Sequence, residues 1–390
     1  MNDAAWRSEL ADLKSAGLYR SLRRVDSIQG PVIEVDGRRM LQFASNNYLD
    51  LASHPRLISA AQEAAHYFGT SAAASALVCG HMGVHADLEA ALVELKGAEA
   101  ALVLGSGYLA NQALLTTLVG AGDVIFSDAL NHASIIDGCR LSRAAVHVYP
   151  HRDVAALERL LQETACARRL IVTDGLFSMD GDVAPLDRIC RLADTYDATV
   201  VVDDAHATGV LGAGGRGTLA HFGLGGDRSI TMGTLGKALG SYGAFITGPR
   251  TAIELVINRA RSFIYATALP PPVVVAARVA VQMVATDPTR VERLHERVAY
   301  LRAGLRHLGI PLPADATPII PLVVGDSEAA TALSEALLED QVWVPAIRPP
   351  TVPAGASRLR LSITAGHSEG QIDYLLACLA RHGVAERCMR

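Results

Sequence analysis

The middle of the chain alternates short runs of apolar, often β-branched residues with longer segments of helical pattern. The apolar runs lie at 101–105, 123–127, 169–174, 199–204, 229–233 and 243–248. Apolar strands that alternate with helix-length segments are typical of βαβ units around a buried, mostly parallel sheet. The pattern therefore predicts a large α/β domain built on such a sheet.

From about Asp287 onwards the pattern is different. A charged helical segment is followed by the short runs PIIPLVVG, VWVPAI and RLRLSIT, with a helix near 327–340 and a last helix from about Ser368. This order predicts a smaller C-terminal α+β domain with an antiparallel sheet. We expect an N-terminal segment over residues 1–45, a large domain over 46–286 and a small domain over 287–390.

The composition is that of a globular protein, since 50% of the 390 residues are hydrophobic and 19% are charged. The net charge of −5 shows no basic excess, so we expect neither nucleic acid nor an anionic membrane as a partner. The start MNDAAWRSEL does not resemble a signal peptide, and the longest apolar stretch is interrupted by prolines and Arg278. We therefore expect a cytoplasmic protein. Its six cysteines form no CxxC pair, which favours free thiols and gives no indication of a metal site.

Ligands of open α/β sheets bind where the strands end, so the polar residues that follow each strand are the candidates. After the first strand comes GSGYLAN, in which Gly105 and Gly107 allow a tight turn and Tyr108 opens a helix. The N–H groups of such a helix start can bind phosphate. The same letters also read G-x-G-x-x-A, with Asp128 about 20 residues further on, as in a dinucleotide fingerprint. A glycine turn required only for packing is the third interpretation, and this stretch alone leaves all three open.

Further candidates follow the other strands. His132 lies in SDALNHAS, Ser178 in TDGLFSMDGD, and Asp203 with His206 in VVVDDAHATG. The DxxH spacing could be half of a metal site, but no third ligand follows at a suitable spacing, and an isolated histidine is more often structural. The stretch TMGTLGKALGSYGAF surrounds Lys237 with glycines and threonines, which by itself favours an exposed lysine in a Gly-rich loop.

One chemistry uses all of these pieces. Pyridoxal 5′-phosphate requires a lysine that bonds to its aldehyde, an acid at its ring nitrogen and a cup for its phosphate. A dinucleotide site would leave Lys237, His132 and the DxxH segment without roles, so the pattern favours pyridoxal phosphate, and the glycines are expected to make room for a lysine-linked ring. The predicted cofactor residues are Gly107, Tyr108 and Thr234 at the phosphate, His132 over the ring, Ser178 and His206 at the phenolic oxygen, Asp203 at the ring nitrogen, and Lys237.

Long motifs throughout the chain resemble the α-oxoamine synthases, which are fold-type I pyridoxal-phosphate enzymes. The motifs are FASNNYLDLASHP, SDALNHASIIDG, TDGLFSMDGD, VDDAHATGVLG, GTLGKALG and IRPPTVPAGASRLRLSITAGH. The resemblance implies a seven-stranded sheet and an enzyme that joins an amino acid to an acyl thioester with loss of carbon dioxide. It is greatest to the members of biotin synthesis, which use L-alanine and a pimeloyl thioester of CoA or acyl carrier protein.

The same resemblance implies roles for further residues. Lys237 would act as general base, and His132 would also assist at the thioester carbonyl. It further implies that Thr267 reaches the phosphate of a neighbouring subunit, so that a homodimer shares its active sites. The implied substrate residues are Arg360, Asn46 and Ser75 for the amino acid, and Arg20, Arg348 and Thr351 for the end of the acyl chain.

Three other functions compete with this interpretation. A glycine C-acetyltransferase, also called 2-amino-3-ketobutyrate CoA ligase, shares several motifs but typically lacks RPPTVP. An NAD-dependent oxidoreductase would rest on the glycine fingerprint alone, and a non-catalytic binding protein would be expected to lack Lys237 or Asp203.

One departure from the family pattern is the stretch AAAS ending at Ser75, where Gly-Gly-Ser is usual. Its extra methyl groups stiffen the backbone and affect the expected acyl selectivity.

Overall fold

The computed structural model describes residues 3–225 and 229–388, and its chain divides into two compact units. The terminal unit comprises the described parts of Met1–Ser45, Met179–Gly181 and Arg293–Arg390. The central unit comprises Asn46–Ser178 and the described parts of Asp182–Glu292. The N-terminal segment thus shares a unit with the C-terminal residues.

Fifteen helices are present in the described parts of the chain, together with a π-helical turn at Ala76–Gly80 and a 3-10 turn at Ala213–Gly215. None of these helices is long and apolar enough to cross a membrane. The helices are α1 Asp3–Ser15, α2 Pro55–Phe68, α3 Gly83–Lys96, α4 Gly107–Leu118, α5 Ala133–Ser142, α6 Val154–Glu163, α7 Leu186–Thr195, α8 Thr218–His221, α9 Arg250–Arg259, α10 Arg261–Ile264, α11 Pro271–Thr286, α12 Thr289–His307, α13 Ser327–Glu339, α14 Glu369–Arg381 and α15 Val384–Arg387.

Thirteen strands are present in the same described residues. They are β1 Val32–Val35, β2 Arg38–Gln42, β3 Ala100–Leu104, β4 Val124–Asp128, β5 Ala145–Tyr149, β6 Arg169–Asp174, β7 Ala198–Asp203, β8 Ser229–Thr234, β9 Ala244–Gly248, β10 Ile319–Gly325, β11 Val342–Trp343, β12 Ala346–Ile347 and β13 Ser357–Ser362.

The central unit is built on a seven-stranded sheet with the order β3-β9-β8-β7-β6-β4-β5. Only β9 runs antiparallel to its neighbours β3 and β8, whereas all the other pairs are parallel. The prediction of a mostly parallel, seven-stranded α/β sheet is therefore confirmed. Because β4, β6, β7 and β8 are parallel, their carboxyl ends meet at one edge of the sheet, where the polar motifs follow.

Helices cover both faces of this sheet, which explains why its inner strands read as continuous apolar runs. In β7, Val201 packs into a cluster with residues of α4, α5 and α9, whereas Val200 and Val202 pack into a second cluster with residues of α6 and α7. The edge strand β5, which the apolar pattern did not predict, is exposed over most of its length. Its sequence AVHVY lacks a continuous apolar run because only Tyr149 is fully buried.

The terminal unit contains two three-stranded sheets. One has the order β1-β2-β11 and the other the order β10-β13-β12, in which both pairs are antiparallel. The sequence pattern of VWVPAI indicates one strand, but the run forms two short strands, β11 and β12, which belong to different sheets. Pro345 lies between them and interrupts the strand, because proline has no backbone N–H to donate to a neighbouring strand.

A protonated histidine joins two loops that follow strands of the central sheet. The ring atom Nδ1 of His151 lies 2.9 Å from Asp128 Oδ1, and Nε2 lies 2.8 Å from Asp182 Oδ2. Ionised carboxylates only accept hydrogen bonds, so both ring nitrogens must donate. Burial opposes this charge, but the two carboxylates outweigh burial and raise the pKa of His151 to about 9. The ion pairs fix the loop after β4, which leads to His132.

We expect the contribution of His151 to stability to fall as the pH rises. The pKa is raised from 6.5 to about 9 on folding, so the contribution is complete below about pH 6.5 and is lost as the pH rises through 9. The free energy of unfolding of the wild type, relative to His151→Gln, should decrease by on the order of 2 kcal/mol between about pH 6.5 and 9.5. Urea unfolding at both pH values measures this difference, and a constant difference would contradict the protonated ion pair.

Candidate active site

A cavity of about 230 Å³ lies at the carboxyl ends of the parallel strands in the central unit. Its lining includes the eight cofactor residues that the motifs predict. Thr267, which the family resemblance adds at the phosphate of a neighbouring subunit, is not among the lining residues. The residues that line it are Gly107, Tyr108, His132, Ser134, Asp174, Ser178, Asp203, Ala205, His206, Met232, Thr234 and Lys237.

Lys237 is held beside a histidine in this cavity. Its Nζ lies 2.8 Å from His206 Nε2, and His206 Nδ1 lies 2.7 Å from the hydroxyl of Tyr48. The Tyr48 hydroxyl donates its own proton to Asn46 Oδ1 at 3.2 Å, so His206 Nδ1 donates to Tyr48 and its Nε2 accepts from Lys237. This chain of contacts places the lysine amine in a defined position and brings the predicted residue Asn46 into the same network.

The glycines around Lys237 have a different role from the one expected. A Cβ on Gly233 would lie 2.3 Å from the ring of Phe245, and a Cβ on Gly240 would lie 2.5 Å from the backbone of Leu51. Gly240 also has φ +63°, which disfavours other residues. At Gly233 and Gly240 the expectation that glycine makes room for a ring is therefore wrong, because protein neighbours fill the space that these two residues leave.

The N-terminus of α4 forms the phosphate end of the cavity. Ser106 caps this helix, since its Oγ accepts a hydrogen bond from the N–H of Leu109 at 3.2 Å. The N–H groups of the first helical turn, which include Gly107 and Tyr108, have no acceptors within the helix, and such groups suit a phosphate. Thr234 ends β8 at the same cavity, and its hydroxyl donates to Gly243 O at 3.0 Å.

Two acids lie side by side at the other end of the cavity. Asp203 is only 5% exposed, its Oδ1 accepts from the N–H of Ala205 at 2.9 Å, and its Oδ2 accepts from Asn111 Nδ2 at 2.8 Å. Asp174 pairs with Asp203 in the register of β6 and β7. Burial, together with the charge of Asp203, raises the pKa of Asp174 well above its usual value, although Lys237 opposes this shift. The raised pKa favours the neutral form of Asp174, whereas Asp203 is the acid that receives the two N–H donors.

His132 begins α5 as its N-cap residue, and its Nδ1 accepts the N–H of Ser134 at 3.3 Å. Burial lowers the pKa of His132; the charge of Asp203 opposes this shift, and the charge of Lys237, the smallest of the three effects, adds to it. The positive end of the α5 dipole also disfavours a cation at this position. His132 is thus a neutral ring on the wall of the cavity.

The donor set fits pyridoxal phosphate. A lysine amine, a buried carboxylate and a helix N-terminus are the three groups that this cofactor requires, and all three line one cavity. Asp203 would face the ring nitrogen, and the N-terminus of α4 and Thr234 would hold the phosphate.

The remaining predicted residues lie elsewhere. Ser75 and Thr267 pair with each other in an isolated antiparallel bridge of the central unit. In the terminal unit, Arg360 is buried in β13 and donates to Ser362 Oγ at 2.7 Å.

The three residues expected at the end of the acyl chain come together within the terminal unit. Arg20 donates to Pro349 O at 3.5 Å, and Arg348 donates to Gly17 O. The N–H of Thr351 donates to Arg348 O at 3.1 Å.

Sequence reasoning missed four residues of the network around the cavity, namely Tyr48, Asn111, Ser134 and Asp174. Each lies inside a motif that was recognised for a neighbouring residue. Asn111 stands four positions after Gly107, so the helical period places it one turn into α4 on the same face. That spacing is the one signal that could have identified it.

Comparisons with known proteins agree with this site. The family model Aminotransferase class I and II matches residues 38–379. The 8-amino-7-oxononanoate synthase of Geobacter sulfurreducens is 50% identical over 378 residues, which cover 96% of this chain and 97% of that protein. The enzyme of the same name from Anaeromyxobacter dehalogenans strain 2CP-1 is 48% identical and covers 96% of this chain and 94% of its own length. The chain belongs to the 8-amino-7-oxononanoate synthase family.

Solved structures extend this relationship. Serine palmitoyltransferase from S. paucimobilis with bound PLP and myriocin has a TM-score of 0.92 at 31% identity, covering 98% of this chain and 97% of its own. The 8-amino-7-oxononanoate synthase of Francisella tularensis has a TM-score of 0.76 at 28% identity, covering 89% and 98%. The predictions of a fold-type I enzyme and of pyridoxal phosphate as its cofactor are confirmed, and the NAD-dependent interpretation of GSGYLAN is wrong.

We expect Lys237→Ala to abolish the visible absorption of the protein purified with pyridoxal phosphate. The chain has three lysines, of which Lys96 is tied to Asp204 at 2.9 Å and Lys14 is exposed. Only Lys237 presents an amine to the cavity, so its loss removes the covalent bond to the cofactor. Absorption spectra of the two variants Lys237→Ala and Lys14→Ala provide the comparison. Retained absorption in Lys237→Ala, or its loss in Lys14→Ala, would assign the cofactor to another lysine.

Proposed function

We propose that this chain condenses L-alanine with a pimeloyl thioester, giving 8-amino-7-oxononanoate, carbon dioxide and the free thiol carrier, as a step of biotin synthesis. The observation that carries the proposal is the convergence of Lys237, Asp203 and the N-terminus of α4 on one cavity. The identity of 50% with a synthase of this name supports the choice of substrates.

Lys237 is the group that moves the α-proton of L-alanine. Its Nζ stands in the cavity against His206 Nε2, which accepts a hydrogen bond from the amine and so orients it. When bound, pyridoxal phosphate supplies an electron-accepting ring that stabilises negative charge on the α-carbon. Asp203 would hold a proton at the ring nitrogen, and its two hydrogen-bond donors keep the carboxylate oriented for that purpose.

His132 would act at the acyl donor. The neutral ring can stack on a planar cofactor, and a ring N–H can donate to the oxygen of the thioester carbonyl. The new bond joins the α-carbon of alanine to the acyl carbon, the thiol leaves, and the alanine carboxylate leaves as carbon dioxide. Ser178 and His206 would bind the phenolic oxygen of the cofactor.

Arginines would match the charges of the substrates, because their planar donors suit carboxylates. Arg360, buried in β13, is proposed to bind the carboxylate of alanine, with Asn46 and Ser75 near the amino acid. Arg20, Arg348 and Thr351 are proposed to line the end of the acyl chain. The contacts between residues 17–20 and 348–349 support a shared role for Arg20 and Arg348.

We expect purified enzyme to release carbon dioxide from L-alanine with pimeloyl-CoA and to form 8-amino-7-oxononanoate. Mass spectrometry of the products should identify this ketone, with weak or no turnover of glycine with acetyl-CoA or of L-serine with palmitoyl-CoA. Comparison of pimeloyl-CoA with pimeloyl acyl carrier protein identifies the carrier. Preference for glycine with acetyl-CoA would replace this proposal by a glycine C-acetyltransferase and would leave the cofactor site intact.

Two arginine variants connect this specificity to named residues. Arg20→Ala should raise KM for pimeloyl-CoA roughly tenfold, because a charge-assisted hydrogen bond is worth about 1.5 kcal/mol or more. KM for L-alanine should change little. Arg24→Ala is the matched control, since Arg24 lies in the same segment and contacts Asp26 at 2.6 Å. An equal rise in KM for pimeloyl-CoA in both variants would contradict a specific role of Arg20 in binding the acyl chain.

We also propose a homodimer that shares its active sites, and a cytoplasmic location that rests on the family resemblance alone. Large apolar side chains are exposed on segments that adjoin the site, including Leu77, Val78, Tyr242 and Tyr265, at 54%, 78%, 57% and 70%. Exposed apolar side chains of this size are found at interfaces when they lie together, which supports this proposal. Tyr265 stands two residues before Thr267, which would reach the phosphate in the second subunit.

A hybrid dimer tests this sharing. One subunit carries Lys237→Ala and the other carries Thr267→Ala, each with its own purification tag. The single lysine-containing site would then receive the intact Thr267 of the second subunit, so we expect it to bind pyridoxal phosphate with the wild-type Kd. The homodimer of Thr267→Ala should bind roughly tenfold more weakly. If Thr267 acts within its own subunit, the hybrid should bind pyridoxal phosphate with the weaker Kd of the Thr267→Ala homodimer. Titration with pyridoxal phosphate, followed by visible absorption, distinguishes the two results.

A further inference from the structure

A continuous chain of hydrogen bonds runs through the protein interior behind the cavity. Asn111 Nδ2 donates to Asp203 Oδ2 and to Ser134 Oγ, both at 2.8 Å, and Ser134 Oγ lies 2.7 Å from His132 Nδ1. We propose that Asn111 is a positioning residue that, through Ser134, holds His132 as the tautomer protonated at Nε2 and, through its second N–H, orients the carboxylate of Asp203. The inference deepens the proposed function, because it specifies which nitrogen of His132 is offered to the acyl donor.

The direction of each hydrogen bond follows from the donors. The amide of Asn111 has two N–H bonds, and both are used, one toward Asp203 and one toward Ser134. Ser134 Oγ therefore accepts from Asn111 and directs its own proton to His132 Nδ1. The backbone N–H of Ser134 points to the same nitrogen at 3.3 Å. Nδ1 thus accepts twice, and in the neutral ring the proton must lie on Nε2.

The orientation of the Asn111 amide has a measurable cost. Asn111 is fully buried, and its Oδ1 has no hydrogen-bond partner in the part of the chain that the structure describes. A buried acceptor without a partner destabilises the folded state. The opposite orientation would turn this oxygen toward the carboxylate of Asp203, where two acceptors would repel each other. The observed orientation is the one that serves both Asp203 and Ser134.

The consequence for the site is a neutral histidine with one free donor. His132 Nε2 has no partner among residues 3–225 and 229–388, and the ring lines the cavity. The charged groups that act on the ring are Asp203 and Lys237. An N–H at Nε2 can donate to a carbonyl or carboxylate oxygen of a substrate, whereas the other tautomer would present a lone pair to that oxygen and repel it.

Nitrogen NMR of the holoenzyme labelled with ¹⁵N-histidine tests this inference without any substrate. The signals of His132 are assigned by their loss in His132→Gln. In the wild type we expect a protonated Nε2 and an unprotonated Nδ1. In Asn111→Leu, which removes both donors, and in Ser134→Ala we expect signals averaged between the two tautomers. Ser134→Thr keeps the hydroxyl and should restore the wild-type pattern.

His85 provides an internal control for the integrity of the fold. Its Nδ1 accepts the N–H of Met82 at 3.2 Å and its Nε2 donates to Leu269 O at 2.9 Å, so it has the same tautomer for an unrelated reason. Its signals should be unchanged in every variant that folds. A wild-type His132 protonated at Nδ1, or a His132 pattern that is unchanged in both Asn111→Leu and Ser134→Ala, would overturn the inference.

Kinetics give a second measurement. With L-alanine and pimeloyl-CoA, Ser134→Ala should lower kcat roughly tenfold, as expected when a donor to a developing oxyanion is misdirected, while KM for L-alanine changes little. If the substrates of the proposed function are wrong, this assay fails but the NMR pattern is still expected. If the NMR pattern fails while the substrates are turned over, the positioning role alone is wrong.

Discussion

Two carboxyl groups that meet in the protein interior impose the main constraint on the site. Asp174 and Asp203 are opposite each other on neighbouring strands, and both are almost fully buried. Two negative charges at this separation in a low dielectric would be strongly unfavourable, so one acid must stay neutral. Burial and the charge of Asp203 raise the pKa of Asp174, whereas Asp203 receives two N–H donors. The neighbouring side chains act on both acids, because Asn111 donates to Asp203 Oδ2 and the charge of Lys237 opposes the raised pKa of Asp174.

The strands could be predicted where their burial on both faces produces a continuous run of apolar residues. Inner strands such as β6 and β7 are covered on both faces, so each reads as an apolar run, and both were located within one residue. The edge strand β5 has no such run and was missed. The two short strands on either side of Pro345 were read as one, because hydrophobicity does not record which sheet a strand joins.

The cofactor site was predictable for a different reason. A parallel sheet collects the residues after its strands at one edge, so His132, Asp203 and Lys237 could be grouped from their positions together with the groups that pyridoxal phosphate requires. The supporting residues could not, since the role of Asn111 depends on how its amide is turned by partners on α5 and β7. The glycines near Lys237 are a second case in which the role of a residue depends on its neighbours in space. Their spacing is visible in the sequence, but the neighbours that occupy the vacated space, such as the ring of Phe245, are known only from the fold.

The residues that line the cavity and the arginines proposed for the substrate charges belong to different units of the chain. Every residue that lines the cofactor cavity belongs to the central unit, whereas Arg20, Arg348 and Arg360, the proposed partners of the substrate charges, belong to the terminal unit. The first set is constrained by one cofactor and by the buried acids, so its members cannot change singly. Arg20 and Arg348 are also linked to each other's segments, because Arg20 donates to Pro349 O and Arg348 donates to Gly17 O. A TM-score of 0.92 at only 31% identity to a serine palmitoyltransferase shows that the fold is retained although most residues differ, so the fold alone does not fix the substrates.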